Sequence, residues 1–448
     1  MHQPQQQPHK SSYFTYEVYP FVRPPEMDGS GSVHQAVVVG AGPVGLVLAI
    51  QLALNGVRCV LIEAEAQVCG GSRALAWTKR SMEIIEQAGV AERFLALAKT
   101  WREGRSYYKN HVVHHLNLPF LEDDKFEPMT NLAQCVMEKI LLERARELGV
   151  DVRFQTCLVG VAVGDDGVTL TLDTPEGEYQ LRSEWVVGCD GARSSVRRLQ
   201  GLRFEGQSFE SRFVIADFNI DLDEPFGRRC YFEPPWLPGH TALMHRAPSG
   251  VWRLDYQVPD DVSDEEALNP ERIASHINAH LKYIGVDKPW TIEWTSLYKP
   301  NTLTLSRYNH GRVLYCGDAA HLFVAGVRCA RHEHRRAGRD QPGLEARRGH
   351  PRARAGEPPR YLFVGAGGRR APNLPRGGQE HPHGGSAHAW PPRHATGRAV
   401  AVDEPQLPAR AAALAHVAPD RLRRQPDHGA RRGRCGLRGR SDTRGACA

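Results

Sequence analysis

The stretch "HQAVVVGAGPVGLVLAIQLALNGVRCVLIEAE", which begins at His34, restricts the possible folds more than any other part of the chain. Ala36 to Val39 predicts a short buried strand. Gly40, Gly42 and Gly45 then give G-x-G-x-x-G, and an apolar helix follows that stops at Asn55-Gly56. A second strand is expected over Val57 to Ile62, ending at Glu63. Gly40 permits the tight turn, Gly42 lets the backbone approach a pyrophosphate, and Gly45 lets helix and strand pack closely. The helix N-terminus presents free N–H groups and the positive end of its dipole to phosphate. Glu63, about twenty residues on, is placed to accept hydrogen bonds from a ribose diol. This unit predicts a dinucleotide site and leaves FAD and NAD both open.

Three later segments narrow the choice. "GGSRALAWTKRSMEIIEQAGV", from Gly70 to Val90, carries Arg73 ahead of a helix with Met82, Ile84 and Ile85. "NLAQCVMEKILLERARELGV" predicts an amphipathic helix with Gln134 near its start. "EWVVGCDGARSSVRRLQG" sets Asp190-Gly191 after an apolar run and continues to Ser194, Val196 and Arg197. "GRVLYCGDAAHLF" gives a strand, then Gly317-Asp318 and the start of a helix.

In order and spacing, these motifs resemble the FAD-dependent aromatic hydroxylases of the para-hydroxybenzoate hydroxylase type. The branch most resembled is that of the 3-(3-hydroxyphenyl)propionate and phenol hydroxylases. The resemblance covers roughly residues 34–323 and implies an α/β fold. That fold is a glutathione-reductase-like FAD-binding Rossmann domain with an inserted antiparallel substrate-domain sheet. By resemblance, Gly40, Gly42, Pro43, Gly45 and Glu63 hold the ADP half of FAD. Arg73 and Gln134 reach the flavin side. Asp190 and Gly191 lie by the pyrophosphate, in a segment the family is thought to share between FAD and NAD(P)H. Gly317 and Asp318 meet the ribityl chain. The chemistry agrees, since an acceptor-only carboxylate suits a polyol and a guanidinium suits a diphosphate.

The implied activity is NAD(P)H- and O2-dependent hydroxylation of a phenolic ring through a flavin hydroperoxide, with no catalytic protein nucleophile and no metal. The alternatives are an FAD-dependent dehydrogenase or reductase on the same fold, and an inactive frameshifted product. The expected partners are a small aromatic substrate and O2, with no nucleic acid and no membrane, and a homodimer is left open. The expected location is cytoplasmic, because ten scattered cysteines without a C-x-x-C pair fit reduced thiols.

Residues from about 205 to 300 lack the βαβ rhythm. "FVIADFNIDL", "RRCYFEP" and "VWRLDYQV" alternate, which predicts antiparallel strands walling a substrate pocket. Tyr231, Arg253 and Tyr256 are candidate pocket residues, because Tyr and Arg suit a phenolic or carboxylated ring. Ordinary half-buried strand positions are the competing reading. "SYYKNHVVHHLNLP" is expected to add strands to that sheet. The domain expectation is therefore a disordered lead (1–33), an FAD domain (34–204) with a sheet insertion near 104–120, a substrate domain (205–300) and a return to the FAD domain (301–323).

After Phe323 the chain changes character. Residues 324–448 hold 25 Arg, no Lys, no Ile and 10 Asp plus Glu, a formal charge of +15. Residues 1–323 hold 32 basic and 41 acidic residues, a charge of −9. The overall basic balance thus comes from the tail and is not a nucleic-acid footprint of the folded part. In the resembled family, G-D-A-A-H leads to a run such as F-G-A-R-G-M-N and then a helix containing N-L-A-W-K. Neither is present. Read one base out of register, however, "VRCARHE" (Val327 to Glu333) can encode F-G-A-R-G-M-N, and "RDQPGLE" (Arg339 to Glu345) permits A-I-N-L-A-W-K. A frameshift after about residue 324 is the expectation. Compositional bias then accounts for the glycine loop "YLFVGAGGRR", the "HEH" at 332–334 and the Arg-rich terminus, and disorder is expected there.

Overall fold

The computed structural model describes residues 3–223 and 227–323. The tail and its motifs, with the expectations of frameshift and disorder, lie outside the described residues. In chain order the elements used below begin with β1 (His34–Val39), α1 (Pro43–Leu54), β2 (Cys59–Ile62) and α2 (Lys79–Gln87). There follow β3 (Glu103–Tyr108), β4 (His111–Asn117), α3 (Gln134–Glu147), β5 (Asp151–Arg153), β6 (Cys157–Val163), β7 (Val168–Thr174) and β8 (Gly177–Gly188). The remainder are α4 (Ser195–Leu199), β9 (Arg212–Asn219), β10 (Arg228–Phe232), β11 (Thr241–Arg246), β12 (Val251–Val258), α5 (Pro270–Tyr283), β13 (Thr291–Tyr298) and β14 (Val313–Tyr315).

An eight-stranded sheet carries the nucleotide motifs. Its parallel part runs β14-β8-β1-β2-β5. Ala36 to Val39 are all buried, as befits a strand covered on both faces. β8 serves two pairings. Its first half continues the antiparallel β6-β7-β8 meander, and its second half pairs with β1 and β14. All of these parallel strands point toward the same edge, so the loops after β1, β8 and β14 gather there.

A seven-stranded sheet runs β13-β9-β12-β11-β10-β3-β4. It is antiparallel except between β10 and β3. Its two faces differ because strand side chains alternate. Trp252, Leu254 and Tyr256 face α5, where Ile273, Ile277 and Leu281 meet them in one hydrophobic core. Burying a side chain such as Ile277 there contributes about 1.5–3 kcal/mol. The other face carries Arg253, Asp255 and, on β9, Asp217.

Helix α5 interrupts the region expected to be antiparallel strand. Asn269 caps it, its side chain accepting the N–H groups of Glu271 and Arg272, and Pro270 opens the first turn.

The lead differs from the disordered extension expected of its composition. Tyr16 and Tyr19 are buried, and Tyr19 stacks on Phe154 with ring centroids 4.4 Å apart. The Tyr19 amide donates to the Ala66 carbonyl (2.7 Å), and the Gly71 amide donates to the Tyr16 hydroxyl (2.9 Å). Ser12 donates to Glu293 at the edge of the antiparallel sheet (2.5 Å). The physical reason is the run of Tyr13, Tyr16 and Tyr19, whose rings have apolar area to bury. Among the described residues no helix is long and apolar enough to cross a membrane.

Candidate functional site

The site is built at the edge where the parallel strands end. Gly40 leaves β1 with φ of +101°, and a side chain there would meet Cys189 O at 2.7 Å and Asp190 Cα at 2.8 Å. The β1 turn thereby packs directly on the Asp190 turn after β8. A Cβ on Gly45 would overlap the Gly40 carbonyl oxygen, which fixes how closely α1 sits on β1. On the third side, Gly317 lies against the first turn of α1, where a Cβ would be 2.8 Å from Val44 Cγ2. Three segments far apart in sequence thus converge on one helix N-terminus.

That N-terminus is prepared for an anion. Gly42 is the N-cap, Pro43 opens the helix, and no side chain caps it. The first-turn N–H groups therefore point into the turn with no side-chain acceptor. A Cβ at Gly42 would meet nothing nearer than Glu138 Oε1 at 3.9 Å, so the backbone is open to a ligand on that side.

Glu63 holds the turn from below. One carboxylate oxygen accepts the Ala41 amide at 2.7 Å and the other accepts the Glu65 amide at 3.0 Å. Burial raises its pKa, and the amide hydrogen bonds oppose that rise. Each oxygen keeps a lone pair for a diol. Asp190 accepts the Val196 amide at 3.0 Å through Oδ2, while its buried Oδ1 has no partner among the described residues. Arg197 ties this turn to the next motif, donating to Ala192 O (2.6 Å) and Ala319 O (3.1 Å). Asp318 itself is exposed.

The flavin-side expectations fall on the loop after β2. Arg73 is exposed, and its carbonyl accepts from Arg253 at 2.9 Å. Gln134, the first residue of α3, accepts the Ala74 amide at 3.1 Å and donates to Glu138 at 2.8 Å. Glu138, absent from the sequence expectations, also accepts the Cys69 amide at 2.7 Å, and burial pushes its carboxyl up to about 7. Its position one turn after Gln134, on the buried face of an amphipathic helix with Cys135, Leu141 and Leu142, was the available signal. Ser72 and Asp217 were missed as well. Asp217 pairs with Arg253 (2.8 Å), and Ser72 hydrogen-bonds to both. This buried group joins the loop to the antiparallel sheet.

The three candidate substrate residues separate. Arg253 lies on the face of the sheet that meets the Ser72–Arg73 loop, already paired with Asp217. Tyr231 and Tyr256 lie on the opposite face beneath α5, contrary to their expected place in the pocket. Tyr231 stacks on Tyr107 at 5.0 Å and Tyr256 on His276 at 4.7 Å. Both are nearly inaccessible. The cause is parity, since Arg253 and Tyr256 are an odd number of positions apart on one strand.

FAD fits these residues. The glycine turn is open where a diphosphate lies, an uncapped helix end faces it, and the unpartnered Asp190 Oδ1 is an acceptor suited to a hydroxyl of the cofactor.

Comparison with known proteins agrees. The chain is 32% identical over 294 residues to the rifampicin monooxygenase of Streptomyces venezuelae, a match covering 65% of this chain and 59% of that protein. It is 29% identical over 300 residues to the 3-(3-hydroxy-phenyl)propionate/3-hydroxycinnamic acid hydroxylase of Mycolicibacterium smegmatis, covering 66% and 51%. The chain thus spans little more than half the length of these relatives. A crystal structure of aklavinone-11 hydroxylase with FAD and aklavinone superposes with a TM-score of 0.57 at 27% identity, covering 65% of this chain and 58% of that one. The family model described as "FAD binding domain" matches residues 34–325. That span contains every motif that converges on the α1 turn, and the chain belongs to the FAD binding domain family.

Proposed function

We propose that this chain is a flavoprotein monooxygenase that hydroxylates a phenolic substrate, with NAD(P)H and O2 as co-substrates. The observation that carries the reading is the junction at Arg253. There the loop after the nucleotide turn meets the polar face of a seven-stranded sheet. This contact supports a reading in which the polar face beside the dinucleotide site receives a second ligand. The names of the relatives support monooxygenation over dehydrogenation.

In this reading the α1 N-terminus and Gly42 bind the pyrophosphate, with Asp190 and Gly191 beside it. Glu63 binds the ribose, Asp318 the ribityl hydroxyls, and Arg73 and Gln134 the flavin side. FAD, when bound, supplies the acceptance of electrons from NAD(P)H and the activation of O2. The protein binds, orients and excludes water. The described cysteines are all unbonded thiols, which fits a cytoplasmic setting.

The test is made on the purified full chain and on a frame-restored version. Flavin content is read from the absorption spectrum, and NAD(P)H oxidation and O2 uptake are followed with and without phenols. Phenol-stimulated O2 uptake with a hydroxylated product is expected, with higher flavin content after frame restoration. Phenol-independent NAD(P)H oxidation, or phenol oxidation without O2 uptake, would favour the reductase or dehydrogenase alternative.

A further inference from the structure

Two buried glutamines receive the lead. Gln67 lies in the loop after β2, six residues before Arg73. Its side-chain amide donates to the carbonyls of Gln5 (3.1 Å) and Gln7 (2.9 Å), and its oxygen accepts the His9 amide (3.1 Å). Gln155 accepts from the Gln6 side chain (3.0 Å) and donates to the Tyr19 carbonyl (2.8 Å). Polar groups buried this deeply are costly to leave unpaired, so both side chains are matched to the presence of the lead.

The lead then closes on the loop that carries Arg73. A Cβ on Gly70 would be 2.9 Å from the His9 imidazole, and one on Gly71 would overlap the Trp294 indole of β13. The two glycines are thus held between a ring of the lead and a ring of the antiparallel sheet. The Tyr16 hydroxyl accepts the Gly71 amide at 2.9 Å, two residues before Arg73. The same hydroxyl contacts the thiol of Cys135, the neighbour of Gln134 on α3. Gln134 in turn accepts the Ala74 amide at 3.1 Å. One buried tyrosine of the lead therefore joins the segments that carry Arg73 and Gln134. From the sheet side, Ser72 is tied to Asp217 and Arg253. The backbone around Arg73 is gripped from both sides while its side chain stays exposed.

Resting on the assignment of Arg73 to the flavin side made above, we infer that the lead is a clamp on the cofactor site, with Tyr16 as the positioning residue that holds the Arg73 loop in its ligand-binding shape. Tyr16 acts through the Gly71 amide and not by touching the cofactor. Two adjacent glycines sample many backbone conformations when nothing holds them. The apparent affinity for a ligand falls in proportion to the fraction of molecules whose loop has the competent conformation. The hydrogen bond at Gly71 raises that fraction, and the lead supplies it.

The test titrates FAD into the full chain by flavin fluorescence, for wild type, Tyr16→Phe, Arg73→Ala and the double variant, each checked for folding by far-ultraviolet circular dichroism. Tyr16→Phe keeps the buried ring and removes only the hydroxyl. It is expected to weaken FAD binding about tenfold, the size of one lost hydrogen bond. Gln67→Met loosens the lead at its other end and takes the place of Tyr16→Phe if that variant does not fold. Arg73→Ala is expected to weaken binding as well, and the lead substitution is expected to add little to it, because the two act in series. At saturating FAD, the circular dichroism of the visible flavin bands reports the protein around the ring and is expected to change in both single variants. A lead substitution that leaves affinity and flavin bands unchanged, or losses that multiply in the double variant, refutes the clamp and leaves Arg73 on the flavin side. Unchanged affinity in Arg73→Ala removes Arg73 from the flavin side and refutes the clamp with it.

Discussion

Replacing Gly45 with alanine would drive a methyl into the Gly40 carbonyl, and both atoms belong to backbone that strand β1 and helix α1 hold in place. The turn must open to admit it. Gly45→Ala is expected to lower FAD affinity by at least about 100-fold, read by fluorescence titration, because misplaced donors forfeit several charge-assisted hydrogen bonds at once. Arg253 invites a second substitution. Its ion pair with Asp217 is buried, so Arg253→Met leaves an uncompensated carboxylate and is expected to cost about 3–5 kcal/mol in denaturant titrations. Arg253→Met with Asp217→Leu is expected to return to within about 1 kcal/mol of wild type. Simple additivity of the two single losses would refute the coupling. The glycines were legible in sequence because few residues tolerate such crowding. The role of Arg253 was legible only in part, since its residue type suits a ligand and a carboxylate equally well.

Among the elements, α5 sets the chemistry of the core beneath it. His280 is fully buried, and neither ring nitrogen has a hydrogen-bond partner among the described residues. Its ring meets Tyr231 edge-on at 4.7 Å and Trp236 at 5.4 Å. Burial, aided by Arg229, lowers its pKa from 6.5 to about 3. The folded state therefore takes up this proton less readily than the unfolded chain. The associated stability is complete above the unfolded pKa and is lost as pH falls from 6.5 toward about 3. His280→Phe removes that dependence. Wild type is expected to lose about 2 kcal/mol relative to the variant between neutral pH and pH 5, measured by urea denaturation at each pH. A constant difference would show that the ring is not held neutral. The helix itself was readable from Asn269, Pro270 and the Ile273, Ile277, Leu281 spacing, but neighbouring strand signals overshadowed it. The parity that puts Tyr256 beneath this helix was equally readable in "VWRLDYQV", where aromatic and charged positions alternate.

For the whole molecule, what the sequence revealed was the local part of the site. G-x-G-x-x-G, D-G and G-D each specify a turn, and each turn obeys nearest-neighbour sterics. Their convergence, and the polar row on the second sheet, depend on strand order and register, which no single segment encodes. The lead is the clearest case. Its Gln and Pro content resembles a solvated tail, yet its tyrosines pack on Phe154 and the loop after β2, and Ser12 reaches the edge of the antiparallel sheet. Ser12 and Glu293 are 281 positions apart. During synthesis the lead leaves the ribosome well before β13, so its contact with Glu293 can close only after that strand is made. Such long-range closure is slow to form. The Ser12 end of the lead, made long before its partner strand, is thus among the last parts to settle, and for that interval chaperones and proteases can compete for it.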